Sequence, residues 1–295
     1  MTKPETADVE VAGGMLRVLV HRPEGEPSLP PVLGLHGVTA SAMSLQPVAR
    51  ALVSQALVAA PDLRGRGGSG QLPPPYGMEA HADDCAAVVR ALGLDQVILV
   101  GESMGAYVGV TFAAKYPELV KSLVLVDGGI PLPLPEGVPT DVLLNAALGP
   151  AVERLSMTFP SVEAYFDYWR VHPAVGEGWN ADIEDYLRYD LAGEEPQLRS
   201  KVSAEAVKGD HADLLTNPAV VADALTLLNC PMRLIRATRG LLNQPEPLLP
   251  DVLVDPWRAK LPQLEVETVD DTNHYTVMFG ERGVERIVKA VHDLA

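Results

Sequence analysis

A serine between two glycines, placed where an apolar run meets a helix-forming segment, constrains the fold of this chain most. Residues 101–105 read Gly-Glu-Ser-Met-Gly, directly after the strand-like residues 96–100 and before residues 106–114, which can continue as a helix. A strand that turns at once into a helix crowds the backbone, so glycines are needed beside a residue held in strained dihedrals. The pattern therefore predicts a nucleophile elbow, which lifts the Ser103 hydroxyl clear of a sheet edge.

Strand-like and helix-like segments alternate on both sides of the predicted elbow. The strand-like runs are residues 9–11, 16–20, 32–35, 56–60, 96–100, 119–126, 231–237 and 264–269. Helix-like segments, among them residues 78–92 and 283–294, separate many of these runs. Such alternation is typical of a mostly parallel sheet with helices on both faces, and the alternating polarity of the two earliest runs predicts an antiparallel edge. The sequence therefore predicts an α/β fold.

The alternation stops for one long segment, which we interpret as an insertion after the sixth strand. Residues 1–130 and 229–295 are predicted to form an α/β core, and residues 131–228 a helical lid, or cap, over it. Eight of the fifteen aromatic residues fall between residues 159 and 189. Aromatic side chains suit the wall of an apolar pocket, although many such side chains simply fill cores. The pocket residues predicted from this cluster are Tyr165, Tyr168, Trp169, Trp179 and Tyr186.

A histidine near the end of the chain is the predicted partner of the elbow serine. A serine hydroxyl is a poor nucleophile at neutral pH, so it needs a histidine to take its proton and a carboxylate to orient that histidine. His274 lies in a polar loop between the last strand-like run and the closing helix. In a parallel sheet this loop and Ser103 lie at the same edge. His274 is therefore the predicted base.

Four motifs, in this order, resemble those of the α/β-hydrolase superfamily, in the branch with a lid between the sixth and seventh strands. They are Leu35-His36-Gly37-Val38, residues 61–69 (Pro-Asp-Leu-Arg-Gly-Arg-Gly-Gly-Ser), the elbow, and His274. The resemblance covers nearly the whole sequence and implies the α/β-hydrolase fold. It also implies an oxyanion hole formed by the backbone N–H groups of Val38 and Met104.

The carboxylate of the catalytic set has more than one candidate position in the sequence. Members of this family often carry it past the seventh strand in a turn of the form G-x-x-D, but residues 240–243 here read Gly-Leu-Leu-Asn. The other position used in the superfamily, just past the sixth strand, holds Asp127, which we predict to orient His274. Asp127 also suits a turn as a purely structural residue. Alternative acids after the seventh strand are Glu246, Asp251 and Asp255.

Composition argues against several classes of partner. The formal net charge of −16 at pH 7 disfavours nucleic acid and anionic membranes, and it disfavours acidic substrates at long range. The first residues lack the apolar core of a signal peptide, and no apolar run is long enough to span a membrane. The two widely separated cysteines fit a reducing compartment. We therefore predict a cytoplasmic protein.

The glycine-rich residues 65–70 match a dinucleotide-binding pattern only in part. They follow a strand but run into the prolines at residues 73–75, where the pattern needs the start of a helix. The histidines and carboxylates show no metal-ligand spacing. The chain is therefore predicted to use neither a cofactor nor a metal.

These residues predict a cofactor-independent serine hydrolase, of the carboxylesterase or lactonase type, that acts on an ester or lactone of a mainly apolar small molecule. The same residues serve C–C bond hydrolysis, amide cleavage or a lyase reaction equally well, because the fold does not decide the function. A further alternative is a ligand-binding protein of hydrolase fold with little turnover.

Overall fold

An eight-stranded sheet forms the centre of the protein. The computed structural model describes residues 4–133, 142, 153–216 and 218–295. The strands before the insertion are β1 (Glu5–Val11), β2 (Gly14–His21), β3 (Val32–Leu35), β4 (Val58–Pro61), β5 (Val97–Glu102) and β6 (Val120–Val126). The later strands are β7 (Leu191–Ala192), β8 (Arg199–Ser200), β9 (Met232–Ala237) and β10 (Leu264–Val269). β7 and β8 pair with each other, and the large sheet has the order β1-β2-β4-β3-β5-β6-β9-β10. β2 runs antiparallel to β1 and β4, and the other pairs are parallel, which confirms the predicted fold class.

Helices flank this sheet. Those before the insertion are α1 (Gln46–Leu52), α2 (Met78–Ala91) and α3 (Met104–Lys115). Between β6 and β9, a segment that we call the insertion, lie α4 (Val162–Arg170), α5 (Ala181–Asp190), α6 (Ala204–Thr216) and α7 (Pro218–Leu227). The chain ends with α8 (Asp251–Lys260), α9 (Thr276–Phe279) and α10 (Glu281–Asp293). Within the predicted lid, residues 134–141, 143–152 and 217 lie outside the described residues. None of the helices in the described part is long and apolar enough to cross a membrane.

The strand before the elbow is covered on both faces. Every residue of β5 is buried. Because successive side chains of a strand point to opposite faces, Ile98 and Val100 share an apolar cluster with Ile287 of α10, whereas Leu99 shares another with Val108 of α3. A strand buried in this way is apolar throughout, which explains its continuous apolar run. The elbow therefore starts from the rigid centre of the sheet.

A buried cluster of charged side chains attaches the insertion to the core. Asp210 of α6 accepts hydrogen bonds from the Gly77 backbone N–H at 2.6 Å and from His81 Nε2 at 2.9 Å, and it pairs with Arg66. All three side chains are buried. Burial alone would raise the pKa of Asp210, but His81, Arg66 and the Gly77 amide lower it to about 2. The carboxylate is therefore ionised and fixes α6 against the core.

Gly105 lies where α3 passes closest to the end of β3. A Cβ added to Gly105 would lie 2.1 Å from the Leu35 carbonyl oxygen, whereas one added to Gly25 has nothing within 4 Å. We expect Gly105→Ala to lower the free energy of unfolding by about 1–3 kcal/mol, because two backbone segments must separate. This cost outweighs the better helix propensity of alanine. Thermal unfolding measures the effect, with Gly25→Ala as the control, and equal melting temperatures for the two variants would contradict it.

Candidate active site

The predicted elbow has a strained backbone at its centre. Ser103 joins β5 to α3 with φ 53° and ψ −118°, in a region that residues other than glycine rarely adopt. A Cβ on Gly101 would lie 2.4 Å from the Gly105 carbonyl oxygen, and one on Gly128 would lie 2.3 Å from the Ser103 carbonyl oxygen. Glycine is therefore required at these close approaches. They leave Ser103 partly exposed at the sheet edge.

The carboxylate that directly follows β6 contacts the predicted base. Asp127 is fully buried, and its Oδ2 accepts a hydrogen bond from His274 Nδ1 at 2.7 Å. Its Oδ1 accepts a hydrogen bond from the Ala237 backbone N–H at 3.2 Å. Asp127 has a positive φ of 45°, which turns the chain sharply after the strand. The ends of β6 and β9 and the loop after β10 therefore meet at this carboxylate.

The residue found where family members often carry an aspartate has a different contact. Asn243 Oδ1 accepts a hydrogen bond from Asn273 Nδ2 at 3.2 Å. Asn273 Oδ1 in turn accepts hydrogen bonds from the backbone N–H groups of Tyr275 and Thr276, both at 2.9 Å. Asn243 thus contacts the residue that shapes the loop around His274.

The alternative acids that follow β9, one in the loop and two on α8, point elsewhere. Glu246, Asp251 and Asp255 are exposed, and Asp251 pairs with Arg236. Of the four acids considered from the sequence, the structure brings Asp127 to the His274 ring.

A second carboxylate, which sequence reasoning did not single out, lies beside the same ring. Glu102 Oε1 is 3.4 Å from His274 Nε2, and the Gly37 backbone N–H donates a hydrogen bond to this carboxylate. Burial raises the pKa of Glu102, although the charge of His274 and the Gly37 amide oppose this rise. Its place inside the elbow, immediately before Ser103, was the available sequence signal.

Two carboxylates therefore face the buried His274 ring, one on each nitrogen. Burial disfavours the charged imidazolium, but the hydrogen bond and charge of Asp127 and the charge of Glu102 outweigh it. The pKa of His274 is consequently raised. Because a base must be neutral to accept a proton, this ring becomes competent only above its raised pKa.

Glu102→Gln is expected to lower the pKa of His274, since it removes a negative charge that stabilises the imidazolium. An NMR titration of the His274 ring should then show that it loses its proton at lower pH than in the wild type. Glu285→Gln, which removes an exposed carboxylate on α10, is the matched control and should leave the titration unchanged. An unchanged titration in Glu102→Gln would mean that its charge does not reach the ring.

Two buried side chains fix the loop after β3. His36 Nε2 accepts a hydrogen bond from the Leu63 backbone N–H at 3.0 Å, and its Nδ1 donates to the Gly37 carbonyl oxygen at 2.8 Å. Burial lowers the pKa of His36 to about 3, so the ring is neutral and structural. Arg66 donates from Nε and Nη2 to the Val38 carbonyl oxygen at 3.0 and 2.9 Å.

The two predicted oxyanion-hole residues lie on the wall of the cavity that Ser103 lines. Val38, Met104 and Ser103 all line it. Met104 is the first residue of α3, so its backbone N–H has no acceptor within the helix. Both residues therefore line the cavity, and the Met104 backbone N–H is not used by the hydrogen bonds of the helix.

The cavity has a volume of about 430 Å³. Its described lining includes Glu102, Ser103 and His274 together with many apolar side chains. Three aromatic residues predicted to form the pocket also line it: Tyr168, Trp169 and Tyr186. The insertion therefore supplies part of the cavity wall.

Two of the predicted pocket residues lie outside this lining. Tyr165 is fully buried, and its hydroxyl donates to Asp190 at 2.6 Å. Trp179 packs edge-on against Phe166, with ring centroids 5.7 Å apart, and donates to Glu184 at 2.8 Å. The polar tips of Tyr165 and Trp179 therefore have local partners outside the described lining of the cavity.

A carboxylate organises the glycine-rich loop that resembled a dinucleotide site. Asp62 Oδ1 accepts a hydrogen bond from the Ala42 backbone N–H at 2.8 Å. Its Oδ2 accepts from the Gly68 backbone N–H at 2.7 Å and from the Tyr189 hydroxyl at 2.5 Å. Asp62 therefore links the glycine-rich loop to Tyr189 of α5. Within the described ranges, no group of three or more His, Cys, Asp or Glu side chains could hold a metal ion.

Two curated proteins share parts of the sequence. Over 98 residues the chain is 40% identical to 2-(acetamidomethylene)succinate hydrolase of Mesorhizobium japonicum. The aligned segment covers 33% of this chain and 35% of the relative. Over 117 residues it is 31% identical to a putative esterase/lipase of Haemophilus influenzae. This aligned segment covers 40% of each protein. The chain thus matches less than half the length of either relative.

The fold and the family agree with the resemblance inferred from the motifs. The crystal structure of E-2-(acetamidomethylene)succinate hydrolase superposes with a TM-score of 0.78 at 24% identity, over 99% of this chain and 98% of that one. Residues 30–200, more than half of the chain, match the family described as alpha/beta hydrolase fold. We conclude that this chain belongs to the alpha/beta hydrolase family.

Proposed function

We propose that the chain is a serine hydrolase that cleaves a carboxylic ester or lactone of a mainly apolar small molecule. The observation that carries the proposal is the convergence of a strained elbow serine and a buried histidine on one cavity, with Asp127 2.7 Å from His274 Nδ1. Serine, histidine and a carboxylate in these roles perform acyl transfer on several unrelated folds. Membership of a hydrolase family supports the same conclusion.

In the proposed reaction, Ser103 Oγ attacks the carbonyl carbon while His274 Nε2 accepts the hydroxyl proton. Asp127 holds the ring with its other proton on Nδ1 and stabilises the imidazolium. His274 then protonates the leaving alcohol, and an acyl-enzyme remains on Ser103. A water molecule activated by the same ring releases the acid and regenerates the serine.

The oxyanion of each tetrahedral intermediate needs hydrogen-bond donors. We assign this role to the backbone N–H groups of Val38 and Met104, because both residues line the cavity together with Ser103. Each such donor lowers the barrier by about 3 kcal/mol in acyl-transfer enzymes.

The cavity supports a small, mainly apolar substrate. Sites for small molecules measure about 300–1,000 Å³, and this cavity of about 430 Å³ falls in that range. Its apolar lining residues include Leu214, Leu215, Val221, Leu241, Leu242, Leu248, Met278 and Phe279. The net charge of −16 supports a small-molecule partner rather than nucleic acid or an anionic membrane. The two free cysteines support a reducing, cytoplasmic location.

Amide cleavage is the second candidate. It is favoured by the relative from Mesorhizobium japonicum, whose name describes a succinate that carries an acetamide group. The same residues would attack an amide carbonyl, with His274 protonating the leaving nitrogen.

The proposal is tested with p-nitrophenyl acetate, butyrate and octanoate and the matching p-nitroanilides, at mildly alkaline pH, which favours the neutral form of His274. We expect release of p-nitrophenol, with a chain-length preference that reflects the size of the cavity. Faster release from the anilides would favour the amidase alternative. An inert wild type would refute the esterase proposal and favour a C–C hydrolase, a lyase or a ligand-binding protein.

A further inference from the structure

A buried arginine in the cavity wall has a hydrogen-bond donor without an acceptor among the described residues. Arg154 belongs to the insertion, is 2% exposed and lines the same cavity as Ser103. Its Nη1 donates to the Tyr165 hydroxyl oxygen at 2.6 Å and to Asp190 Oδ2 at 2.9 Å. Arg154 Nε is buried and has no hydrogen-bond partner among the described residues. A buried donor of this kind is costly, so it calls for a partner.

The ion pair with Asp190 uses only part of the guanidinium. The Asp190 carboxylate also accepts hydrogen bonds from the Tyr165 hydroxyl at 2.6 Å and from Ser200 Oγ at 2.9 Å. Three donors therefore share this carboxylate, while the hydrogen bonds described for Arg154 all leave from Nη1. The remaining edge, formed by Nε and Nη2, is the planar fork that binds a carboxylate through two parallel hydrogen bonds.

A second side chain of the cavity lining, close enough to Arg154 to feel its charge, also suits an anion. His172 lines the cavity, and its Nδ1 accepts a hydrogen bond from the Ala174 backbone N–H at 3.2 Å. The proton of the neutral ring therefore lies on Nε2, where it can be donated. Burial and the charge of Arg154 lower the pKa of His172 and keep the ring neutral. The guanidinium carbon lies 5.2 Å from the centre of the Trp169 ring, a cation–π contact that helps to hold it.

We propose that Arg154 and His172 form a subsite for a carboxylate that the substrate carries away from its scissile carbonyl. This inference rests on the proposed function and narrows it to half-esters or half-amides of dicarboxylic acids. Among the described lining residues, Arg154 is the only arginine or lysine, and Glu102, beside Ser103, is the only carboxylate. The two charges therefore orient an anionic substrate, because Glu102 repels its carboxylate and Arg154 attracts it.

The acidic surface of the protein does not oppose this binding inside the cavity. The net charge of −16 acts at long range, but salt screens exposed charges beyond about 8 Å at physiological ionic strength. A guanidinium on the cavity wall acts by direct contact and therefore governs the choice of substrate there.

The test compares two esters that differ only in charge. One is the mono-p-nitrophenyl ester of glutaric, adipic or pimelic acid, and the other has a neutral primary amide in place of the free carboxylate. For at least one chain length, we expect wild-type kcat/KM to favour the carboxylate ester by about tenfold or more, chiefly through KM. In Arg154→Met combined with Asp190→Asn, which leaves no unpaired buried charge, this ratio should fall to about one.

Arg188→Met is the matched control, because Arg188 also stacks on an aromatic ring, at 5.2 Å from Phe166, but is exposed. It should keep the wild-type ratio. Absence of a preference in the wild type at every chain length, or an equal preference in the double variant, would overturn the subsite.

A binding measurement separates this proposal from the proposed function. If the wild type hydrolyses neither ester, the esterase proposal fails, and thermal stabilisation by hexanoate and hexanamide tests the subsite alone. We expect hexanoate to stabilise the wild type more than hexanamide does, and we expect this difference to vanish in the double variant. Equal effects of the two ligands on the wild type, or a difference that survives in the double variant, would overturn the subsite.

Discussion

Ser103→Ala is expected to lower kcat for p-nitrophenyl esters by about 10⁴- to 10⁶-fold. The variant removes the oxygen that forms the acyl-enzyme, so only cavity binding and the oxyanion donors can still contribute. Folding should be retained, because serine and alanine both have a Cβ and meet the same strain at φ 53°. Rates at saturating substrate and thermal unfolding measure the two effects separately.

The control for this variant is Ser44→Ala, which removes the other serine hydroxyl among the described lining residues of the cavity. Ser44 belongs to the short helix Ala42–Leu45 before α1 and not to the elbow, so we expect its loss to leave kcat close to the wild-type value. A collapse of kcat in Ser44→Ala, with retention in Ser103→Ala, would show that Ser44 is the nucleophile and that our assignment to Ser103 is wrong.

Asp127→Asn is expected to lower kcat by about 10⁴-fold, because the amide cannot hold the imidazole in the required tautomer or stabilise its charged form. The substitution keeps the shape of the side chain, and asparagine tolerates the left-handed backbone at φ 45°. Its side-chain oxygen can still accept the Ala237 backbone N–H. We therefore expect a loss of kcat without a loss of folding, again measured by saturating kinetics and thermal unfolding.

Asp251→Asn provides the comparison for this variant. Asp251 is the first residue of α8, at the end of the loop after β9 in which family members often carry the triad carboxylate, but here it is exposed and pairs with Arg236. Its substitution should leave kcat nearly unchanged. A large loss in Asp251→Asn with normal activity in Asp127→Asn would move the triad acid to that loop.

The parts of the site that follow from short, local patterns could be predicted from the sequence. The elbow depends on close backbone approaches that only glycine allows, and these approaches leave a readable pattern around Ser103. The position of Asp127 follows from the strand order, because β6 is the direct neighbour of β5 and β9 is the neighbour of β6. A carboxylate at the end of β6 therefore lies close to the elbow.

The parts that depend on packing between distant segments could not be predicted. Glu102 is adjacent to Ser103 in the sequence, but its contact with His274 depends on how the loop after β10 folds back. Arg154 and Asp190 are separated by 36 residues, and no local pattern joins them. The aromatic cluster identified the segment that walls the cavity, but it could not tell Trp169, which lines it, from Tyr165, which does not.

Asp127, the carboxylate that binds His274, lies at the end of β6, and this position affects how the protein can be redesigned. The loop after β9 supplies Leu241, Leu242 and Gln244 to the cavity wall, while the described carboxylates facing His274 come from other segments. A combinatorial library restricted to these three positions is therefore expected to change selectivity without touching the proposed proton relay. In relatives that carry the acid in this loop, the same mutations would act on the relay and the pocket together.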